Sequence, residues 1–222
     1  MFKKIYLYRF EIFLITQLSI LFGSLVFNLE IYETILSPIF LLLNTIAGII
    51  LISEKKKLMW FFIFLIIIES VLFSLEYFDK EPINQLFISK IRFFIFFIFY
   101  VTITYEIIKN VWQSKIINKN VIFGLISGYI SLGFIGFFIY LSVDIWYPNS
   151  FNGIEVGVNA TEELMYFSYI TLMTIGYGEI SPITPMAQKA TIFIGLLGQF
   201  YMVILTAIIV GKFINQSNQK GD

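Results

Sequence analysis

The chain of 222 residues carries 15 lysine and arginine residues and 15 aspartate and glutamate residues, so its formal net charge is zero. Hydrophobic residues make up 58% of it and aromatic residues 19%, which exceeds what a soluble core requires and is typical of a protein that crosses a membrane several times. Because cysteine and histidine are both absent, disulfides, thiolate chemistry, imidazole ligands and a histidine acid–base site are excluded, and we expect no enzymatic activity and no cofactor.

Six apolar stretches are long enough to cross a bilayer, at about 17 to 25 residues each. They lie roughly at 10–28, 35–52, 58–75, 91–108, 121–143 and 187–212. Lys3, Lys4 and Arg9 make the start of the first stretch basic, and no small-residue cleavage site follows it, which predicts an uncleaved signal anchor. The fold class predicted from these stretches is an all-α membrane protein with six transmembrane helices.

The distribution of basic residues predicts the orientation of these helices. Six crossings put both termini on one side of the membrane. The basic residues near the helix ends on that side are 11 of the 15, namely Lys3, Lys4, Arg9, Lys55, Lys56, Lys57, Lys109, Lys115, Lys119, Lys212 and Lys220. Since cytoplasmic loops are enriched in lysine and arginine, both termini are predicted to be cytoplasmic. The connections on the opposite side are correspondingly acidic.

Residues 1–110 are predicted to form a four-helix transmembrane bundle. A voltage sensor repeats arginine or lysine at every third position of its fourth helix, because several charges must move through the field. Here the fourth stretch has Arg92 near its outer end and then mainly aromatic and aliphatic residues. We therefore predict weak or absent voltage dependence, with Glu69 of the third stretch as a candidate partner for Arg92. Protonation of Glu69, or its pairing elsewhere, is the alternative.

A connector at 111–120 leads to the fifth crossing, and a turret loop rich in Gly, Pro and Asn follows at 144–159. Asn159 is predicted to cap a helix that ends at Met173, with two glutamates in its positively polarised first turn. At about 14 residues this helix spans roughly 20 Å, too short to cross the membrane. It is predicted to be re-entrant and to point its negative end at a central cavity, although a helix lying on the membrane surface is an alternative.

The most informative motif follows this short helix and precedes the last apolar stretch. Its residues are Thr174, Ile175, Gly176, Tyr177, Gly178 and Glu179. A cation that leaves water needs oxygen ligands, and consecutive backbone carbonyls supply them only if all of these peptide units turn inward. Gly176 and Gly178 tolerate the positive φ angles that this demands. The carbonyls of residues 174–177, with the Thr174 hydroxyl, are therefore predicted to line one axis.

The motif resembles the selectivity filter of the potassium channel pore-domain family, which reads T-[VI]-G-Y-G-[DE], and the resemblance covers roughly residues 121–213. It implies a homotetramer that holds K⁺ at Thr174, Ile175, Gly176 and Tyr177, with Gly178 completing the filter. Glu179 takes the place of the commoner Asp at the pore mouth, where its carboxylate concentrates cations. Tyr177 would point outward into packing.

The resemblance also implies roles for residues around the filter. Its supporting residues would be Tyr166, Phe167, Thr171 and Met173, although Met173 stands where Thr or Ser usually precedes the filter threonine. Gly198 lies where family members often carry a hinge glycine, and Gly195 is one turn earlier; the alternative is that both simply allow close helix packing. The residues expected to face the cavity or inner gate are Gln199, Met202, Thr206, Ala207 and Val210.

The function that this reading predicts is passive, potassium-selective conduction across the plasma membrane, with membrane lipid, K⁺ and further copies of the chain as partners and no nucleic acid. The compositional bias favours a bacterial cell membrane. Residues 121–213 would form the pore domain and 214–222 a cytoplasmic tail too short to bind a nucleotide or calcium. Two alternatives stay open: a poorly selective cation channel, and a membrane sensor or effector whose N-terminal bundle binds a partner or lipid and gates the pore.

Overall fold

The computed structural model describes residues 2–28, 31–78, 82–154 and 160–218, and most of these are helical. The α-helices are α1 (Phe2–Leu7), α2 (Arg9–Phe22), α3 (Ser37–Leu51), α4 (Lys56–Phe78), α5 (Pro82–Gln113), α6 (Lys119–Trp146), α7 (Ala160–Leu172), α8 (Pro185–Phe200) and α9 (Thr206–Asn218). A 3₁₀ turn at Gly23–Leu25 follows α2, and π turns at Tyr32–Leu36 and Tyr201–Leu205 precede α3 and α9. Two short strands, β1 (Phe151–Asn152) and β2 (Ser181–Pro182), pair antiparallel.

Four helical segments within the described residues are long and apolar enough to cross a membrane: 56–75, 90–113, 119–146 and 185–216. These correspond to the last four predicted crossings. The first two predicted crossings, 10–28 and 35–52, contain α2 with 14 residues and α3 with 15 residues. Helices of that length rise roughly 21 to 23 Å, less than the hydrocarbon thickness of about 30 Å. The structure therefore has a helical fold with four candidate membrane-spanning segments among the described residues. The six-crossing topology stays a prediction.

The chain forms two compact units, and the first comprises Met1–Ile107 and Lys119–Ser127. Its core is aromatic: Phe62, Phe99 and Tyr100 are almost completely buried. The Phe99 ring packs edge-on against Phe62 and Tyr100 at centroid distances of 5.4 and 5.3 Å. Gly48 of α3 admits this ring, because a Cβ there would lie 2.4 Å from Phe99. Aromatic pairs of this geometry stabilise a core beyond their area burial.

A buried polar network joins three helices of the first unit. The Tyr100 hydroxyl donates to Asn44 Oδ1 at 2.8 Å, and Asn44 Nδ2 donates to Thr16 Oγ1 at 2.8 Å and to the Phe13 carbonyl at 3.3 Å. Asn44 and Tyr100 are fully buried. A buried amide is costly unless it is hydrogen-bonded, so this network fixes the contact between α2, α3 and α5.

Two ion pairs also lie in the first unit. Arg92 Nε is 2.7 Å from Glu69 Oε1, and these side chains are only 14% and 2% exposed. The Arg92 guanidinium also lies 5.2 Å from the centre of the Phe73 ring. The predicted pairing of Glu69 with Arg92 is thus confirmed, and it is deeply buried. The second pair, Lys55 with Glu106, is more exposed on its lysine side.

The second unit comprises Ile108–Asn118 and Gly128–Asp222. The helix α8 begins where Thr184 accepts a hydrogen bond from the Ala187 amide, with Pro185 at the first helical position, which is a common way to start a helix. The short helix α7 begins at Ala160 with two glutamates in its first turn and ends one residue before the predicted Met173. The predicted cap Asn159 lies outside the described residues.

The predicted connector at 111–120 is partly helical. The helix α5 continues to Gln113, and α6 begins at Lys119, so only residues 114–118 are outside a helix. The predicted boundary at 110 therefore falls within α5.

Candidate functional site

Two polar side chains anchor α7 to the backbone of α6. Ser168 Oγ donates to the Gly133 carbonyl at 2.7 Å, and the Tyr169 hydroxyl donates to the Ile130 carbonyl at 2.8 Å. Glycines make room for them, because a Cβ at Gly133 would lie 2.2 Å from the Tyr169 ring and one at Gly136 would lie 2.3 Å from Ser168 Oγ. The sequence analysis missed these anchors, for which the glycines of α6 were the available signal.

The aromatic residues predicted to support the filter lie in different surroundings. Phe167 is buried, and its ring packs against Tyr140 at 4.9 Å and Phe151 at 5.6 Å. Tyr166, its neighbour, is 42% exposed. Within one chain, Phe167 therefore fixes α7 to α6 and β1, while Tyr166 lies on the open side of the helix.

The backbone after α7 turns back onto the end of that helix. Its amides donate to the last helical carbonyls: Met173 to Tyr169 at 2.9 Å, Thr174 to Thr171 at 3.0 Å, Ile175 to Ile170 at 2.8 Å and Gly176 to Ile170 at 3.3 Å. These bonds satisfy carbonyls that a helix end otherwise leaves without a partner. They also fix the direction in which the amides of the predicted filter point.

The predicted filter, residues 174–178, has an alternating backbone. Thr174, Gly176 and Gly178 have φ angles of 58°, 57° and 96°, whereas Ile175 and Tyr177 between them have negative φ. Alternation of left- and right-handed residues turns successive amides to one side and therefore successive carbonyls to the other. The two glycines accept positive φ without a Cβ penalty, as the sequence predicted, but Thr174 also adopts it.

In this arrangement, the carbonyls of the predicted filter remain available as hydrogen-bond acceptors or cation ligands. Among the described residues, none donates a hydrogen bond to the carbonyls of residues 174–178. Residues 173–179 are all exposed on the single chain, and Tyr177 is 74% exposed. This segment therefore presents a row of oxygen atoms that can accept from a ligand or coordinate a cation.

Glu179 follows the predicted filter and interacts with α7. The Tyr166 hydroxyl donates to its carboxylate, and this hydrogen bond, with the nearby negative charge, raises the pKa of Tyr166 to about 12. The backbone of Glu179 also packs closely against Gly153, since a Cβ at Gly153 would lie only 2.0 Å from the Glu179 carbonyl oxygen. Gly153 has a φ of 83°, so glycine suits this position in two ways.

The end of the predicted turret is tied to the segment after Glu179. β1 pairs with β2, the Ile183 amide donates to the Ser150 carbonyl at 2.8 Å, and Ser150 Oγ lies 2.9 Å from Thr184 Oγ1. The sequence predicted an exposed loop here, but Ser150 and Phe151 are buried. This part of the loop therefore supports the backbone that follows the predicted filter.

The two glycines of α8 differ in their surroundings. Gly198 is buried against the end of α7, and a Cβ there would lie 2.1 Å from the Leu172 carbonyl oxygen. A Cβ at Gly195 would have no atom within 4 Å. Close packing, one of the two readings from the sequence, therefore accounts for Gly198, whereas Gly195 has room to take a side chain.

Replacement of Gly198 by alanine is expected to destabilise the protein by about 1–3 kcal/mol per chain, because the methyl group overlaps a backbone oxygen that cannot move freely. The measurement is thermal unfolding of the detergent-solubilised protein. Gly195→Ala adds the same methyl group to the same helix where there is space, so its unfolding temperature should stay near the wild-type value. Equal unfolding temperatures for the two variants would contradict the packing role of Gly198.

The residues predicted to face the cavity lie before, within and after a π turn at Tyr201–Leu205. The five residues Gln199, Met202, Thr206, Ala207 and Val210 are all exposed on the single chain. A π turn adds one residue to the helix, so positions after it are rotated relative to a regular α-helix. The prediction assumed one continuous α-helical face, and the segment contains no glycine or proline that would have indicated the insertion.

A lysine in the middle of α9 binds the end of α5. Lys212 Nζ donates to the carbonyls of Trp112 at 2.6 Å, Ser114 at 2.8 Å and Val111 at 3.5 Å. The neighbouring turn adds Gln216, whose Oε1 accepts from the Ile117 amide at 2.8 Å. A cation at a helix C-terminus satisfies free carbonyls and interacts favourably with the helix dipole. The sequence analysis missed this contact.

Within the described residues, no three acidic side chains lie close enough together to hold a metal ion.

Comparison with known proteins bears on the same part of the chain. Residues 124–215 match the family model described as ion channel. Two-pore potassium channel 5 of Arabidopsis thaliana is 32% identical over 102 residues, which cover 46% of this chain and 22% of that protein. The chain thus spans about a fifth of the length of this relative. No solved structure shows significant similarity. The α6–α9 region, with its Gly-Tyr-Gly motif, is therefore similar to the pore domain of potassium channels.

Proposed function

We propose that the protein is the subunit of a homotetrameric potassium channel that conducts K⁺ passively across the plasma membrane. Residues 121–213 form the pore domain, with K⁺ bound by the backbone at Thr174, Ile175, Gly176 and Tyr177. The observation that carries the proposal is the row of carbonyls at residues 174–178, which accept no hydrogen bond from the described residues while the preceding amides are bonded to α7.

Four copies of the chain complete this site. Open backbone at membrane depth is stable only where protein buries it or where it lines water or ions. One chain contributes one row of carbonyls, and K⁺ requires oxygen ligands on all sides to replace its hydration shell. A four-fold axis in front of residues 174–178 supplies them and also covers the exposed Tyr177. The charges arranged along the axis favour cations, since α7 points its negative end inward and Glu179 lies at the outer mouth.

The remaining parts of the proposal concern topology and gating. The chain crosses the membrane six times with cytoplasmic termini, because most basic residues lie at the ends proposed to be cytoplasmic. Residues 1–110 form the transmembrane bundle, 111–120 the connector and 214–222 the tail. Gln199, Met202, Thr206, Ala207 and Val210 line the cavity and inner gate. Gating depends weakly or not at all on voltage, because the fourth crossing carries no arginine repeat.

The test is the reversal potential of the purified protein in planar bilayers, with potassium on one side and sodium on the other. A reversal near the potassium equilibrium potential is expected, and Gly176→Asp, which puts a side chain and a charge at a position with positive φ, should abolish it. A reversal near zero would contradict selectivity and favour a nonselective cation pore. Cellular effects that survive Gly176→Asp would favour a membrane sensor whose N-terminal bundle acts by itself.

A further inference from the structure

The peptide unit at the end of α7, one before the unit that leads into the predicted filter, is held from both ends. This unit joins Leu172 to Met173. Its amide, on Met173, donates to the Tyr169 carbonyl at 2.9 Å, and its carbonyl, on Leu172, accepts from the Tyr129 hydroxyl at 3.3 Å. Of the four carbonyls that end α7, this is the one satisfied by a side chain, and the other three accept amides that follow in the chain.

The Leu172 carbonyl lies where water cannot easily replace the Tyr129 hydroxyl as its hydrogen-bond donor. Leu172 is 1% exposed, and the backbone of α8 at Gly198 packs directly against this oxygen, so water has no room to replace the phenol. Tyr129 is itself held in place by Tyr201, whose ring lies 5.5 Å away and which is 7% exposed at the start of the π turn.

We propose that Tyr129 is a positioning residue of the selectivity filter, a role that rests on the proposed function. Its hydroxyl sets the plane of the Leu172–Met173 peptide, from which the carbonyls of residues 174–178 take their direction. Its ring contacts Tyr201 at the start of the π turn between α8 and α9. A change in the position of that turn therefore changes the orientation of the peptide plane. Without the hydroxyl, the buried carbonyl loses its donor and the peptide is held only through its amide, which loosens the first filter turn.

The experiment compares sodium-to-potassium permeability ratios, from bi-ionic reversal potentials, for the wild type, Tyr129→Phe and Tyr100→Phe. Tyr129→Phe keeps the ring and its contact with Tyr201, so only the hydrogen bond is lost, and the ratio is expected to rise roughly tenfold. Tyr100→Phe also deletes a buried hydroxyl bond, of 2.8 Å, but in the first unit, and should leave the ratio unchanged. A wild-type ratio in Tyr129→Phe would overturn the proposal.

A second measurement does not depend on a selective pore. An isotopically labelled Leu172 carbonyl, introduced by semisynthesis, gives an isolated infrared band whose frequency reports its hydrogen bond. A fluorinated tyrosine at position 129 keeps the ring shape while its more acidic phenol donates more strongly, so the band is expected to shift to lower wavenumber, and in Tyr129→Phe to higher. An unshifted band would overturn the assignment of Tyr129, whereas an unselective wild type would contradict only the proposed function.

Discussion

Replacement of Gly176 by alanine is expected to abolish potassium-selective current. Gly176 has a φ of 57°, and a Cβ there would meet no atom within 4 Å in its own chain, so the penalty lies in the backbone. An L-residue in this region costs about 1–2 kcal/mol, or about 4–8 kcal/mol over four subunits. That is comparable with the whole stability of a typical domain, about 5–15 kcal/mol. The residue should therefore leave positive φ, and its carbonyl should turn away from the axis.

Gly211→Ala is the matched control for this prediction. A Cβ at Gly211 would also meet no atom within 4 Å, but this glycine lies in α9 without positive φ. Alanine in a helix is favoured over glycine by about 0.5–1 kcal/mol, so this variant should be at least as stable as the wild type and keep its reversal potential. Bilayer recordings under potassium and sodium gradients distinguish the two. Wild-type selectivity in Gly176→Ala would contradict the role given to its backbone.

Removal of the Glu69 carboxylate is expected to destabilise the first unit strongly. Glu69→Leu leaves the Arg92 guanidinium, which is 14% exposed, without the carboxylate at 2.7 Å. Breaking a buried ion pair by removing one partner typically costs about 3–5 kcal/mol. Replacement of both residues removes the charge as well, so Glu69→Leu combined with Arg92→Met should recover stability close to that of the wild type. Expression yield and thermal unfolding in detergent measure both effects.

The Lys55–Glu106 pair gives a control for this prediction. Lys55 is 45% exposed but Glu106 only 9%, so Lys55→Met combined with Glu106→Leu, which removes both charges, should have a smaller effect than Glu69→Leu. A double variant of Glu69 and Arg92 no more stable than Glu69→Leu alone would contradict the argument, because the deficit would then lie in packing and not in the unpaired arginine.

The same pair bears on voltage dependence. Each elementary charge that crosses the membrane field contributes about 2.3 kcal/mol per 100 mV, but Arg92 and Glu69 moving together carry no net charge. The buried contact between them therefore works against displacement of Arg92 alone. This strengthens the physical basis for the weak voltage dependence proposed from the absence of an arginine repeat.

Local patterns in the sequence were sufficient for much of this picture. The glutamates before an apolar run predicted the position of α7 to within one residue at its C-terminal end, and the Gly-Tyr-Gly motif predicted positive φ at both glycines. The Glu69–Arg92 pair was predictable because two isolated charges in apolar helices need a partner. In each case, the chemistry of a few adjacent residues constrains the backbone or demands a neutralising contact.

Other features depend on contacts between segments that are distant in the sequence, so no local sequence pattern predicts them. The π turn occurs in Tyr-Met-Val-Ile-Leu, which any apolar helix accommodates, so its position reflects packing around Tyr201. Tyr129 donates to a carbonyl 43 residues away in the chain, and Lys212 to carbonyls about 100 residues away. Only the three-dimensional arrangement identifies such partners. The apolar stretches that contain α2 and α3 likewise extend beyond the regular α-helix, into a 3₁₀ turn and a π turn that no local pattern indicated.

The contact between Lys212 and the end of α5 has a practical consequence for domain transfer. A pore excised at residue 121, where the apolar stretch of α6 begins, would keep the ammonium group and the Gln216 side chain but lose every carbonyl and amide that they bind at residues 111–117. The smallest fragment that can be transferred with these contacts intact therefore starts before Val111. A chimaera that grafts this pore behind a foreign sensor should carry the last turn of α5 as part of the graft.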